Sequence, residues 1–552
     1  MIGVIASSEE HDVVCEFFEL FKTPWELYRP GGRYEVLLCS GEREARAATA
    51  KLVVVYSAEP VSLDGQSKIQ SQKTTTTLAY MGQPIPIYGK SLTFRDEGIG
   101  TLVDRTSGAP AAYMIQSENG AIARVGYDLF REIRAALTEG QPPANAEIPV
   151  VEMHIAVLRD LVLESAGPLV EIPPVPDGYG FIACLTHDVD HPSIRRHQWD
   201  HTMFGFLYRA VVGSVRNTIT GRCSLRSLIT NWTAALKLPL VHSGLASDFW
   251  LAFDRYPDIE GRLGSTFFII PFEGRPGQTV LGEAPKSRAS SYGAREIEDQ
   301  IRTLMAAGCE IGVHGIDSWL DSLKGGEELA EIVRVTGVPG VGVRMHWLYF
   351  NEESPAHLER AGFAYDSSVG YNETIGYRAG TGQVFKPLGA ARLLELPMHV
   401  MDTALFYPRY LDLSPSEAGK RVGALIDNAL RFGGAVTVNW HDRSIAPERL
   451  WQECYLRLIE DLRSKSPWFA TASRTVGWFR KRRSASFETV TYGAGSLRAK
   501  VSMSDGDDLP GLRLRVHKAR SPRKIRWSDG APASSEYVDI GLNAPLDTCV
   551  HI

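Results

Sequence analysis

Two aspartates two residues apart, Asp188 and Asp190, stand at the end of the run Phe181-Ile-Ala-Cys-Leu-Thr-His-Asp-Val-Asp-His191. Phe181 to Leu185 is a short apolar run that reads as a buried strand, and Pro192 closes the polar residues that follow. If extended geometry persists past Leu185, the two carboxylates project to the same side. Carboxylates on one face at the exit of a buried strand repel each other and lose hydration, so a bound cation or an arginine must stabilise them. The plainer alternative is a capping aspartate followed by a solvated one in a loop. Taken alone, the stretch leaves both readings open and leans only slightly to the cation.

The same pattern, an apolar run ending in polar residues, recurs at 265–271, 309–315, 341–347, 362–368, 393–397 and 435–442. Helical segments intervene, for example over 294–307 and 355–361. Repeated β–helix–β units demand parallel strands, and about seven of them close into a barrel. Such barrels gather their chemistry at the C-terminal ends of the strands. Asp188, Asp190, His314, Arg344, His346, Asp366 and His441 all fall there. No single motif among them is strong, and the signal lies in their coincidence at one rim.

Over roughly residues 178–480 these features resemble the polysaccharide deacetylases of the carbohydrate esterase family 4 type. Thr186-His-Asp188-Val-Asp190 is similar to that family's first motif in a D-x-D form, where adjacent aspartates are more usual. His314-Gly315 is similar to the start of its second motif, H-[S/T/G]-x-x-H. Tyr365-Asp366-Ser367-Ser368, followed by Glu395-Leu-Pro397, recurs in relatives acting on bacterial surface polysaccharides. The resemblance implies a distorted (β/α) barrel of about seven strands and a divalent metal, usually zinc. It implies Asp188 as catalytic base, Asp190 and His314 as metal ligands, Arg344 as the partner of the base and His441 as catalytic acid.

The chain departs from that family where a second histidine should follow His314 by four, because Ser318 stands there. Catalytic zinc normally has three protein ligands. His346 ends the next strand two residues after Arg344 and is expected to supply the third; Asp317 is a weaker candidate. With this set the chemistry is amide hydrolysis. A metal polarises the carbonyl and lowers the pKa of water towards about 7. Asp188, oriented by Arg344, takes the water's proton, and His441 protonates the departing amine. The implied function is removal of N-acetyl groups from an amino sugar or glycan, in bacterial surface polysaccharide assembly. Two alternatives stay open: a metal-free amide or ureide hydrolase, with Ser318 as its signature, and a catalytically silent carbohydrate-binding protein. Asp188 with Arg344 can also be a structural ion pair, and His441 a satisfied core histidine. His197 and His201, four apart around Asp200, read as a solvated helix face.

The rest of the chain frames this segment. At 552 residues it has room for two to four domains. The expected divisions are an N-terminal α/β domain over 1–145, the barrel over 178–480 and a small all-β module over 484–552. The module is read from Leu512, Leu514 and Val516 alternating with Arg513, Arg515 and His517. The N-terminal segment has no G-x-G-x-x-G and no P-loop. Cys39 reads as a buried structural thiol. A net charge of −6 does not suggest a nucleic-acid binder. Seven cysteines, at 15, 39, 184, 223, 309, 454 and 549, form no C-x-x-C and read as reduced thiols. The N-terminus lacks the pattern of a signal peptide, and no apolar run approaches the ~20 residues of a membrane span. A cytoplasmic protein is expected. A basic helical insertion over 191–260 interrupts the barrel, and its 191–240 part carries seven Lys/Arg against one acid, Asp200. It reads as a lid with a solvated basic face, as a peripheral contact with the anionic inner face of a membrane, or as a holder for a phosphate of the substrate.

Overall fold

The strand Ile182–Val189 is the centre of a seven-stranded parallel sheet, and all eight of its residues are buried. One edge pairs with Ala435–Asn439. The other pairs first with Trp468–Phe469 and then, from Leu185 onward, with Ser265–Ile269. The sheet continues outward through Glu310–Gly315 to Val343–Met345, and in the opposite direction to Val400–Met401. This computed structural model describes residues 1–551 apart from 42–49, 66–67, 96–101, 118–119, 222–223, 252–254, 262, 494–495, 504–507 and 521–535. Cys223 therefore lies outside the described residues. Of the other six cysteines, Cys39, Cys184 and Cys309 are buried.

Two compact units divide the chain, and the sheet just described belongs to the one formed by Tyr179–Gly376 and Val384–Val476. The unit is mixed α/β and its parallel sheet is curled. Its helices start and stop where the sequence supplies caps. Asp321 accepts from Leu323 and Lys324 at the start of Ser322–Thr336, and Gly337 ends that helix in the left-handed conformation. Ser414 and Glu417 form a capping box ahead of Pro415–Phe432.

Two of the expected strand runs are not strands. The 362–368 and 393–397 runs join the sheet through single parallel bridges, Val343 to Asp366 and Asp366 to Glu395. Side chains take over the backbone donors that a ladder would use. Ser368 Oγ accepts from Met345 N at 2.9 Å, and Glu395 Oε1 accepts from Val369 N at 2.8 Å. Tyr365 packs so closely on Gly342 that a Cβ there would lie 2.1 Å from its ring. The strand also runs on past Leu185 to Val189. Thr186, His187 and Asp188 remain in the ladder opposite Thr266, Phe267 and Phe268. His187 is held there by the Trp440 carbonyl and Glu260 Oε1, each at 2.7 Å.

The other unit comprises Met1–Gly178, Tyr377–Gln383 and Gly477–Ile552. It contains a six-stranded sheet in the order Trp25–Leu27, Ile2–Ile5, Val36–Ser40, Leu52–Tyr56, Gly120–Val125 and Ala112–Ser117. All pairs are parallel except the last. Among its C-terminal strands, Leu512–His517 buries Leu512, Leu514 and Val516 and pairs with both Leu169–Glu171 and Tyr537–Leu542.

Candidate metal and catalytic site

Three potential ligand atoms meet at the C-terminal rim of the curled sheet. Asp190 Oδ1 lies 3.3 Å from His314 Nε2 and 3.3 Å from His346 Nδ1, and the two nitrogens are 3.0 Å apart. Asp190 follows the end of the Ile182–Val189 strand, His314 lies near the end of Glu310–Gly315, and His346 follows Val343–Met345. These three residues form the candidate metal-binding group among the described residues.

The outer nitrogen of each ring fixes its tautomer. His314 Nδ1 is 3.0 Å from the Arg344 carbonyl, and His346 Nε2 is 3.1 Å from the Arg288 carbonyl. A carbonyl only accepts, so both outer nitrogens carry protons, and in neutral rings both inner nitrogens present lone pairs. Burial lowers His346 to about 4 despite the neighbouring Asp190 carboxylate, which keeps that ring neutral. Burial opposes ionisation of Asp190, yet the imidazolium forms of His346, His314 and His441 would hold its carboxyl well below the usual range. Its Oδ1 is buried without a hydrogen-bond partner.

Two lone pairs and an orphaned carboxylate oxygen facing one point repel each other unless a cation sits among them. Ligand atoms 2.0–2.2 Å from a tetrahedral centre stand about 3.3–3.6 Å apart. The observed edges of 3.0–3.3 Å are close to that spacing. Backbone carbonyls behind both histidines are the outer support such ligands need. The donor set thus fits a divalent metal.

Asp188 sits beside this group, with Oδ2 3.9 Å from His314 Nε2. Arg344 Nη1 donates to Asp188 Oδ1 at 3.1 Å, and Asn439 Nδ2 donates to Oδ2 at 2.7 Å. Burial works to raise the Asp188 pKa, but Arg344 first, then His314 and His441, bring it below the ordinary value. Arg344 is itself fully buried. It donates to Thr186 Oγ1 at 2.7 Å, to the Ser367 carbonyl at 3.0 Å and to Ser367 Oγ at 2.9 Å. The Asp366-Ser367-Ser368 run therefore serves the site by positioning Arg344. Burial raises both Asp366 and Glu395; the Asp366 charge adds to the rise of Glu395, while hydrogen bonds from Ser368 and Glu395 offset part of that of Asp366, so the pair sits behind the rim with reduced charge.

His441 turns Nε2 towards Asp190 Oδ2, 3.9 Å away, while Nδ1 lies 2.6 Å from Asp402 Oδ1. Burial would lower this imidazole, but Asp402, aided by Asp190 and Asp188, raises it to about 10. Asp402 is fully buried. It also accepts from His441 N at 2.7 Å and from Ser444 Oγ.

Of the seven residues expected at the rim, the structure brings six together, Asp188, Asp190, His314, Arg344, His346 and His441, whereas Asp366 stands behind them with Ser368 and Glu395. Ser318 faces away, donating to Glu328 Oε2. Asp317 is engaged by Lys324 at 3.1 Å and by Gln278 N at 2.7 Å. His197 is buried rather than solvated, because His191, Asp200 and Trp250 surround its ring. Asp402, Asn439 and Arg288 escape the sequence reading. Asn439 carries one usable signal, since it ends the strand Ala435–Asn439 beside Ile182–Val189.

No protein-family model and no curated protein matches the chain. Among solved structures, a Mycobacterium smegmatis protein named "putative polysaccharide deacetylase" is similar at 21% identity. That alignment covers 56% of this chain and 95% of the other, with a TM-score of 0.34. A Parabacteroides distasonis protein named "putative glycoside hydrolase/deacetylase" is similar at 10% identity. It covers 67% of this chain and 87% of its own, with a TM-score of 0.32.

Proposed function

We propose that this protein is a divalent-metal-dependent hydrolase, with zinc as its metal, that removes N-acetyl groups from an amino sugar or glycan on a distorted (β/α) barrel, in bacterial surface polysaccharide assembly. The observation that carries the reading is the convergence of Asp190 Oδ1, His314 Nε2 and His346 Nδ1 on one point. Those three residues would hold the metal. Lewis acidity is the chemistry a divalent cation supplies when bound, polarising an acyl carbonyl and acidifying water.

The remaining work falls to residues of the chain. Asp188 is the general base. Arg344 and Asn439 occupy its two oxygens and keep it ionised in a buried setting. His441 is the general acid, presenting a proton at Nε2 to the departing amine while Asp402 holds Nδ1. Hydrolysis consumes one water, breaks the C–N bond and releases acetate and an amine. The proton taken at Asp188 and the one given at His441 balance over a turnover.

Metal analysis of the purified protein, with an acetate-release screen across nucleotide-linked, lipid-linked and polymeric N-acetyl sugars, tests the proposal. One equivalent of metal and chelator-sensitive acetate release are expected. Turnover that survives complete metal removal would assign a metal-free hydrolase instead. Bound glycan without release of any acid would assign a silent binding protein.

A further inference from the structure

We propose that the helical insertion between the strands Ile182–Val189 and Ser265–Ile269 is a docking surface for an anionic lipid membrane. The insertion runs as one helical stretch through His201–Leu207, a wider π-turn at Tyr208–Gly213 and Ser214–Ile219, then returns as Leu225–His242. Leu225–His242 has two apolar faces. Asn231, Ala234, Leu238 and Val241 form its buried face. Ala234, Leu238 and Val241 pack into a cluster with Met203, Phe206 and Trp250. Leu225, Ile229, Trp232, Leu236 and Leu240 follow the same helical spacing, yet all are exposed, Leu236 by 80%. At about 100° per residue, this second stripe is centred about 180° from the first. The inner face completes a core, and the outer one is exposed among the described residues.

The preceding helical stretch repeats the feature. Phe204, Tyr208, Val212 and Ile219 are exposed, Ile219 by 80%, and Val211, Val212, Val215 and Ile219 line an open apolar groove with Arg216. Apolar surface of this extent on a water-soluble face marks an interaction site. None of the helices described is long and apolar enough to cross a bilayer, so a lipid partner would be met at its interface.

Charge selects the partner. Arg195, Arg196, Arg216, Arg226 and Lys237 are exposed on the insertion. Its one acid within 191–240, Asp200, is already engaged by Met203 N at 2.8 Å and by His197 Nδ1 at 2.7 Å. Arg226 and Lys237 flank the outer stripe of Leu225–His242 on one side, at about 80–100° from its centre. This cationic, apolar surface lies on a chain of net charge −6. Cations beside an aliphatic and tryptophan stripe match anionic headgroups over acyl chains. Two copies meeting through this face would bring like charges together. A nucleic acid offers nothing for the aliphatic side chains. The insertion is tied to the rim through the His191 N–H, which donates to Asp442 Oδ2 at 2.9 Å, and through the packing of Arg443 over Trp250. Docking would therefore hold the site's mouth close to the lipid surface, whatever reaction the rim performs.

Vesicle co-sedimentation of the full chain tests the proposal. The protein is expected to pellet with phosphatidylglycerol-rich vesicles at low salt and to pellet poorly with phosphatidylcholine alone. Ile229→Asp combined with Leu236→Asp should weaken binding about tenfold or more. Both side chains are exposed, so the variant keeps the wild-type circular dichroism, thermal midpoint and metal content, which separates this test from that of the rim. Arg226→Glu with Lys237→Glu should weaken binding at low salt and show a smaller difference at high salt. Failure to pellet with anionic vesicles at low salt overturns the proposal, as does an aspartate variant that binds like the wild type. A dimer that the aspartate variant dissolves, with no vesicle binding, gives the face to a second copy and overturns it equally.

Discussion

His441 Nδ1 lies 2.6 Å from Asp402 Oδ1, and the same carboxylate accepts the His441 backbone N–H through Oδ2 at 2.7 Å. One buried carboxylate thus fixes both the tautomer and the backbone of the candidate acid, leaving Nε2 turned to the rim.

That relationship predicts the behaviour of Asp402→Asn. An asparagine can present its NH2 group to Nδ1, which moves the ring proton to Nε2 permanently and removes the stabilisation of imidazolium. The expected result is a fall in kcat on the order of 10²–10⁴, with KM and metal content little changed. A loss of metal in parallel with activity would show that Asp402 supports the metal group instead.

Division of labour between the two aspartates gives a second prediction. Asp188→Asn should lower kcat on the order of 10²–10⁴ with metal retained, because its oxygens are held by Arg344 and Asn439. Asp190→Asn should lose both, because Asp190 Oδ1 is the buried orphan facing the histidines. Equal metal loss in the two variants would refute this assignment, and inductively coupled plasma analysis reads it directly.

The parts of this site that were legible share one property: they lie at the ends of strands long enough to announce themselves. Asp188 and Asp190 follow a five-residue apolar run, and His314 ends another. His346 was legible in position but for a different reason. The run 341–347 predicts a strand that extends through it, whereas the strand ends at Met345 and His346 begins a tight turn with Trp347 at φ +62°. Asp402 was hidden because its strand, Val400–Met401, has two residues and so no periodicity to read. Arg288 was hidden because its service is rendered by a backbone carbonyl, which residue identity does not reveal. The runs at 362–368 and 393–397 looked like strands because their apolar residues are indeed buried. Their serines and glutamate spend themselves on neighbouring backbone groups.

Metal affinity across three variants tests the third ligand. His346→Ala and His314→Ala should each weaken binding by at least about 100-fold, since loss of even an outer-shell partner costs 10–100-fold. Ser318→Ala should leave affinity nearly intact, because its hydroxyl is turned to Glu328. If His346→Ala kept full metal and activity, a two-ligand site or one completed by Asp317 would replace the group described above.

The final prediction concerns stability and lies away from the rim, at Glu152 in the helix Val150–Ser165. Burial raises its carboxyl to about 7, against hydrogen bonds from Thr381 Oγ1 and Gly382 N that favour ionisation. The unfolded value is 4.5. With the folded pKa above the unfolded one, the native state binds more protons between about pH 4.5 and 7. The favourable contribution is therefore complete below pH 4.5 and is lost as pH rises through 7. Glu152→Gln keeps an acceptor for Thr381 and Gly382 but never ionises. Its denaturant midpoint should match that of the wild type more closely near pH 4.5 and exceed it at pH 8, by up to about 3 kcal/mol in unfolding free energy. A difference between the two proteins that stays constant from pH 4.5 to pH 8 would mean that Glu152 is ionised, or neutral, throughout in both states.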